Sequence, residues 1–126
     1  MSFKTFEGLL VWQKSHSLVL DVYNLSKTFP KEEMYGLTSQ IRRSSASVPT
    51  NIVEGYRRKS NKDFSNFLNI AETSLEETKY QLILCKDLGY IETNKFKELR
   101  EKCNEVGKMI YGLKNSINSS LVTWNL

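Results

Sequence analysis

The sequence predicts an all-α protein, an antiparallel up-down-up-down four-helix bundle that forms a single domain over residues 1–126. Apolar residues recur at steps of three and four in four successive segments, which is the period of an amphipathic helix. The connections between these segments are short, which favours antiparallel neighbours. The predicted helices cover about residues 7–28, 32–54, 61–88 and 94–118, and residues 119–126 form a tail.

The first predicted helix is apolar over a wide arc. One stripe consists of Leu9, Trp12, His16, Val19 and Tyr23, and a second consists of Val11, Leu18, Val22 and Leu25. A helix this broadly apolar must face more than one neighbour, and the second neighbour could be another subunit. The helix is expected to end at Phe29 and Pro30, because the residue before a proline is pushed out of the α region.

The second predicted helix has a stripe expected to be buried and a polar stripe. The buried stripe is Leu37, Ile41, Ser45, Val48 and Ile52, and the polar stripe is Gln40, Ser44, Ser47, Asn51 and Glu54. The polar stripe is either exposed or part of a buried hydrogen-bonded network. Pro49 removes a backbone hydrogen bond inside the helix, so a kink is expected there. Gly55 is expected to end the helix.

The third and fourth predicted helices each present one apolar seam. The seams are Phe64, Phe67, Leu68, Ala71, Leu75, Thr78, Leu82 and Cys85 in the third helix, and Phe96, Leu99, Cys103, Val106, Ile110, Leu113 and Ile117 in the fourth. Ser60 or Asn61 can cap the third helix, and Asn94 can cap the fourth. Gly89 follows the third helix at a position where a left-handed residue is expected.

Composition argues against several classes of function. No segment is apolar for long enough to span a membrane, and residues 1–4 begin no secretory signal, so a cytoplasmic location is expected. The two cysteines, Cys85 and Cys103, are expected to be buried thiols, and the single histidine, His16, is expected to be a hydrogen-bonded core or interface residue. The sequence contains no recognisable catalytic, cofactor or metal motif, so we expect a protein that is not an enzyme and holds no metal or cofactor.

The positive charge is concentrated in one part of the chain. Between residues 41 and 62 there are six basic residues and one acid, whereas the rest of the chain has 12 basic and 13 acidic residues. A basic excess this local indicates an anionic partner, although a solvated face without a partner is the alternative. The candidate nucleic-acid-binding residues are Arg42, Arg43, Arg57, Arg58, Lys59 and Lys62.

This region contains the runs YGLTSQIRR at residues 35–43 and SVPTNIVEG at residues 47–55. Both runs resemble the bacterial 23S rRNA-intervening-sequence proteins, also called four-helix-bundle proteins. Other matching segments are LVWQK at 10–14, FPKEE at 29–33, FLNIAE at 67–72 and LGYI at 88–91. The resemblance covers about residues 6–118. The chain departs from the family pattern mildly, at Ser44, Val53 and Ser74, and no departure removes an arginine.

The resemblance implies an antiparallel bundle that assembles as a homopentamer. Some relatives are encoded within intervening sequences of 23S rRNA genes, which favours RNA over DNA as the ligand. The family also resembles the accessory variability determinant of diversity-generating retroelements, a basic pentameric barrel that binds nucleic acid and a reverse transcriptase. The leading hypothesis is a non-catalytic, oligomeric nucleic-acid-binding accessory protein. The alternative is an interaction scaffold for a polymerase or another protein.

Overall fold

The structure, a computed structural model, describes the backbone of residues 5–124 and the side chains of residues 5–119. The α-helices of this part of the chain are α1 (Leu10–Ser26), α2 (Leu37–Tyr56), α3 (Asn61–Asp87) and α4 (Thr93–Trp124). Short 3₁₀ turns at Phe6–Gly8 and Lys31–Glu33 precede α1 and α2. Residues 5–124 form no β-strand, so the all-α class is confirmed, and four helices are consistent with a four-helix bundle.

Several helix ends differ from the prediction. α2 begins at Leu37 rather than near residue 32, because residues 31–33 form a 3₁₀ turn instead. α4 continues to Trp124, so residues 119–124 of the predicted tail are helical. Two predictions concern residues outside the described part of the chain, namely the absence of a signal at residues 1–4 and the end of the tail at residues 125–126.

The ends of α3 follow the predicted chemistry. Ser60 is the N-cap residue, and its Oγ accepts a hydrogen bond from the Asp63 N–H at 3.1 Å. Gly89 has a φ angle of +80°, as expected for a residue that turns the chain after a helix. Asn94 is not the N-cap of α4, since the helix already includes Thr93.

The core lies between the four helices. Its fully buried members include Leu18, Val22, Ile41, Val48, Ile52, Leu68, Leu82, Leu99 and Ile110. Leu18 and Val22 show which of the two α1 stripes faces the core, because both residues are fully buried. The stripe left partly exposed is the one with Trp12 and Tyr23, and Leu20 is a further exposed apolar residue of α1. Within the described chain, no helix is long and apolar enough to cross a bilayer.

α2 and α3 approach each other closely along a line of small residues. Ser44 Oγ lies 2.9 Å from Thr78 Oγ1, and Ser47 Oγ lies 2.8 Å from Ser74 Oγ. The residue numbers of these contacts rise along α2 as they fall along α3, so these two helices run in opposite directions. Gly55 is buried inside α2, which corrects the prediction that it ends the helix. A Cβ atom at Gly55 would lie only 2.7 Å from the Phe64 ring, so the glycine permits the close approach of α3.

A glutamate joins the connection before α2 to the connection before α4. The carboxylate of Glu33 accepts a hydrogen bond from Tyr90 Oη at 2.7 Å and another from the Leu37 N–H at 3.1 Å. These two bonds lower the pKa of Glu33, and the bond from Tyr90 has the larger effect. The same contact raises the pKa of Tyr90, since it stabilises the protonated phenol.

Candidate nucleic-acid interface

The six basic residues predicted to bind nucleic acid form two groups. Arg42 and Arg43 lie in the first half of α2, and the other four lie where α2 connects to α3. Arg57 stands fourteen positions after Arg43, which corresponds to about 21 Å along a helix. The structure therefore gathers Arg57, Arg58, Lys59 and Lys62 into a basic turn (residues 57–62) and places the two remaining arginines apart from it.

Arg42 connects α2 to the end of α1. Its Nε donates a hydrogen bond to Ser26 Oγ at 2.7 Å, and its Nη2 lies 3.4 Å from the carbonyl oxygen of Tyr23. Its guanidinium carbon lies 4.8 Å from the centre of the Tyr23 ring, in a cation–π contact. The last carbonyls of a helix lack partners within that helix, so Arg42 supplies a C-terminal cap to α1. This arginine is engaged in holding the fold together.

Arg43 is held far more weakly. Its Nη2 lies 3.9 Å from Glu77 Oε2 on α3, and the two side chains are 66% and 46% exposed. An exposed ion pair at this distance contributes little to stability, because water screens both charges. Arg43 can therefore exchange Glu77 for an anionic ligand at small cost, which Arg42 cannot do without releasing α1.

Aromatic side chains of α3 hold the basic turn in place. The Tyr56 and Phe64 rings meet edge to face with their centres 6.2 Å apart. The guanidinium carbon of Arg58 lies 4.7 Å from the centre of the Phe67 ring, and its Nη2 lies 3.6 Å from Glu54 Oε2. Gly55 allows both phenylalanine rings to pack against the end of α2. The backbone that carries the four basic side chains is thus braced by the packing of α2 on α3.

Three side chains of the basic turn point into solvent. Arg57, Lys59 and Lys62 are exposed or half-exposed at the surface, and none of them pairs with an acid among the described residues. Two acids lie nearby in sequence, Glu54 and Asp63, and Glu54 already pairs with Arg58. Unpaired exposed cations retain their full field toward solvent, so the turn is the part of the predicted site best suited to contact phosphates.

The polar stripe of α2 lies mostly inside the bundle. Ser44 Oγ donates to Gln81 Oε1 at 2.6 Å, and Asn51 Nδ2 donates to the Ser47 carbonyl oxygen at 2.8 Å. Of the two alternatives for this stripe, a buried hydrogen-bonded network is thus correct for its middle. Its two end residues, Gln40 and Glu54, are exposed. The network secures the α2–α3 interface and is not open to a ligand.

An apolar groove runs between α1 and α2 on another face of the bundle. Its volume is about 300 Å³, and it is lined by Phe6, Trp12, His16, Val19, Ala46, Pro49, Thr50 and Val53. His16 is exposed and stacks on Trp12, with ring centres 5.0 Å apart and ring planes 7° apart. The prediction of a core position for His16 is therefore wrong, while an interface position stays a prediction.

The remaining candidates for chemistry do not form a site in the described chain. Residues 5–119 hold no cluster of histidine, cysteine or acidic side chains that would bind a metal ion. Both cysteines are buried and unbonded, as predicted. Burial raises the pKa of Cys85 to about 12 and that of Cys103 to about 11, so neither is a ready thiolate at neutral pH.

Sequence reasoning missed several side chains that surround Arg42 and Arg43. Tyr23, Met34 and Tyr35 line one pocket with these two arginines. Lys27 and Lys31 line an adjoining pocket that shares Arg42. Both lysines lie before residue 41, where the basic excess of the sequence begins. The alternation of aromatic and basic residues across the α1–α2 connection is the signal that would have found this group.

The chain is thus a small helical protein with a basic connection between its second and third helices. The chain matches the model of the 23S rRNA-intervening sequence protein family over residues 7–112, and it belongs to that family. It is also similar to a solved structure from Bacteroides thetaiotaomicron, a protein of unknown function from the S23 ribosomal protein family. The TM-score is 0.78 at 29% identity, and the match covers 83% of this chain and 98% of the other. No curated protein matches the chain.

Proposed function

We propose that this protein is a non-catalytic, oligomeric accessory protein that binds RNA through the basic turn of each subunit. The observation that carries the proposal is the group of three unpaired surface cations, Arg57, Lys59 and Lys62, beside Arg58 on a braced turn. Membership of the 23S rRNA-intervening sequence protein family supports RNA as the ligand. The proposed mechanism is phosphate neutralisation with release of counterions, without readout of bases by the turn.

We further propose that the helices are antiparallel throughout and that the subunits form a homopentamer in the cytoplasm of a bacterium. Two ion pairs between α1 and α4 support the antiparallel arrangement. Lys14 pairs with Glu105 and Asp21 pairs with Lys102, so the residue numbers rise along α1 as they fall along α4. The apolar α1–α2 groove supports assembly, since a second copy of the chain would bury it. Five subunits rest on the family resemblance. Several basic turns on one particle would raise the affinity of a modest patch through avidity.

Binding assays at two salt concentrations test the proposal. Fluorescence anisotropy with labelled RNA and DNA should give a slope of log K against log salt of about −0.7 per phosphate for single strands. The variant Arg57→Ala/Arg58→Ala should weaken binding to all sequences and make the single-strand slope shallower by about 0.7 for each phosphate that is no longer neutralised. Light scattering on the same samples measures the assembly, and a monomer at micromolar concentration would refute the oligomer.

A matched control removes the same charge elsewhere. Lys97→Ala/Lys108→Ala also lowers the net charge by two, on exposed positions of α4 away from the basic turn. We expect this control to bind almost as well as the parent chain. Equal decreases in affinity for the two double variants would mean that net charge alone governs binding. If the turn variant binds like the parent at both salt concentrations, the electrostatic hypothesis fails and the protein-scaffold alternative replaces it.

A further inference from the structure

A pocket lies beside the α1–α2 connection, and no residue of the basic turn lines it. The pocket has a volume of about 380 Å³ and is lined by Tyr23, Met34, Tyr35, Thr38, Ser39, Arg42 and Arg43. It combines three kinds of group: aromatic rings, hydroxyl groups and guanidinium groups. This combination differs from the apolar groove between α1 and α2, which is lined without a lysine or arginine. A pocket of this chemistry suits a ligand that has both a flat aromatic part and an anionic part.

Tyr35 is the most exposed large apolar residue of the described chain. Its side chain is 93% exposed, whereas Tyr23 is 42% exposed. Tyr23 is already covered in part by the guanidinium of Arg42, 4.8 Å from the ring centre. The Tyr35 ring has no comparable cover and offers its π-face to solvent. Aromatic rings displayed in this way are stacking platforms for unpaired nucleotide bases, since every base has a π-face.

Arg43 supplies the anion-binding part of the pocket. It can leave its long, exposed contact with Glu77 at little cost. Lys27 and Lys31 line the adjoining pocket and add positive charge nearby. The acids of this region are Glu32, Glu33 and Glu77, and the carboxylate of Glu33 accepts hydrogen bonds from Tyr90 and the Leu37 N–H. The cations that line the two pockets are Arg42, Arg43, Lys27 and Lys31. Cations therefore outnumber carboxylates around the pocket, which favours a phosphate group.

We propose that this pocket binds an unpaired nucleotide of the RNA, with the base stacked on Tyr35 and the phosphate on Arg43. The inference rests on the proposed function and makes it more specific, because it selects single-stranded RNA. In a duplex the base faces are stacked on each other and are closed to a protein ring. Arg42 acts as a positioning residue here, since it fixes Tyr23 and the wall of the pocket.

One strand can reach this pocket and the basic turn together. Arg57 directly follows α2 and stands fourteen positions after Arg43, which corresponds to about 21 Å along a helix. A stacked strand advances about 3.4 Å per nucleotide, so about six nucleotides span this distance. The pocket would select unpaired RNA while the basic turn supplies non-specific affinity.

The test compares an unpaired 12-nucleotide oligoadenylate with a 12-base-pair RNA duplex by fluorescence anisotropy. Tyr35→Ala should weaken binding of the oligoadenylate roughly tenfold, which corresponds to removing one base–aromatic stack. The duplex affinity and the salt slope should not change, because no phosphate contact is removed. Tyr35→Phe retains the ring and should restore binding. The control is Tyr80→Ala, which removes a tyrosine that is 61% exposed on α3.

The outcomes separate this inference from the proposed function. If Tyr35→Ala changes the affinity for neither RNA, or lowers both affinities equally, the stacking pocket is refuted. A protein partner then becomes the better candidate to occupy the pocket. If Arg57→Ala/Arg58→Ala abolishes binding in the same series, the proposed function stands even so. If the parent chain binds neither RNA, the proposed function itself fails. Tyr35 contributes little to the core because it is almost fully exposed, so Tyr35→Ala is expected to fold.

Discussion

Gly55 is the position at which one added methyl group should disturb both the fold and the basic turn. A Cβ atom there would lie 2.7 Å from Phe64 Cδ1 and 2.8 Å from Phe67 Cβ. Both distances are shorter than a carbon–carbon contact allows. The Phe67 contact is with the base of a side chain, which cannot swing aside as a flexible end would. Gly55→Ala must therefore push α3 away from the end of α2.

The size of the effect follows from two opposing contributions. Replacing glycine by alanine inside a helix stabilises it by about 1 kcal/mol. Forcing an extra carbon into a packed interface costs about 1–3 kcal/mol. We expect Gly55→Ala to lower the free energy of unfolding by about 1 kcal/mol net. The matched control is Gly112→Ala on α4, where a Cβ atom would meet nothing within 4 Å. This control should gain up to about 1 kcal/mol.

Urea unfolding followed by circular dichroism measures both changes, and one protein concentration is used throughout because subunit association would make the midpoint depend on concentration. The two variants should move the midpoint in opposite directions. Gly55→Ala should also weaken RNA binding, because Phe67 lies under the guanidinium of Arg58. A Gly55→Ala variant as stable as the Gly112→Ala variant would refute the reasoning, since it would show that α3 does not press on this position.

Three further predictions concern stability and reactivity. Arg42→Ala should cost about 2 kcal/mol in urea unfolding, from one charged hydrogen bond and a cation–π contact, whereas Arg43→Ala should cost under about 1 kcal/mol; equal costs would contradict this. The two buried thiols should react with Ellman's reagent at pH 8 only as fast as the bundle opens, and a rapid reaction of the native protein would contradict the burial. Because Tyr90 and the Leu37 N–H lower the pKa of Glu33, their hydrogen bonds stabilise the fold above the ordinary glutamate pKa, and this stabilisation disappears as the pH falls. Glu33→Gln should therefore narrow the difference in unfolding midpoint between pH 7 and pH 3, and an unchanged difference would count against it.

The helices could be predicted from the sequence because their apolar periodicity is local. The seams of α3 and α4 need no knowledge of the partner helix, and residues such as Leu82 and Ile110 are fully buried where the pattern places them. Ser60 and Gly89 mark the ends of α3 through chemistry that also lies within a few residues. Helices and helix ends can therefore be predicted from the sequence where they depend on residues that are close together in the chain.

The predictions that failed depend on contacts between distant parts of the chain. Gly55 reads as a helix stop in isolation, but its function becomes clear only when Phe64 and Phe67 lie against it. The sequence does not decide which of the two α1 stripes faces the core, and only the packed helices show that it is the stripe with Leu18. Arg42 similarly resembles any surface arginine until Ser26 is found beside it, sixteen residues away in sequence. Periodicity alone cannot supply such pairings.

The division of the basic residues follows from how α2 is packed. The face of α2 that packs on α3 carries Ser44 and Ser47, and a face that must fit small hydroxyl groups against its neighbour has no room for long cations. The free cations therefore lie off this face, with Arg43 exposed in the first half of α2 and the basic turn after its last residue. A flat, continuous basic stripe would favour a rigid duplex. Two separated basic sites, one of them beside the exposed Tyr35, favour a flexible strand that can bend to reach both.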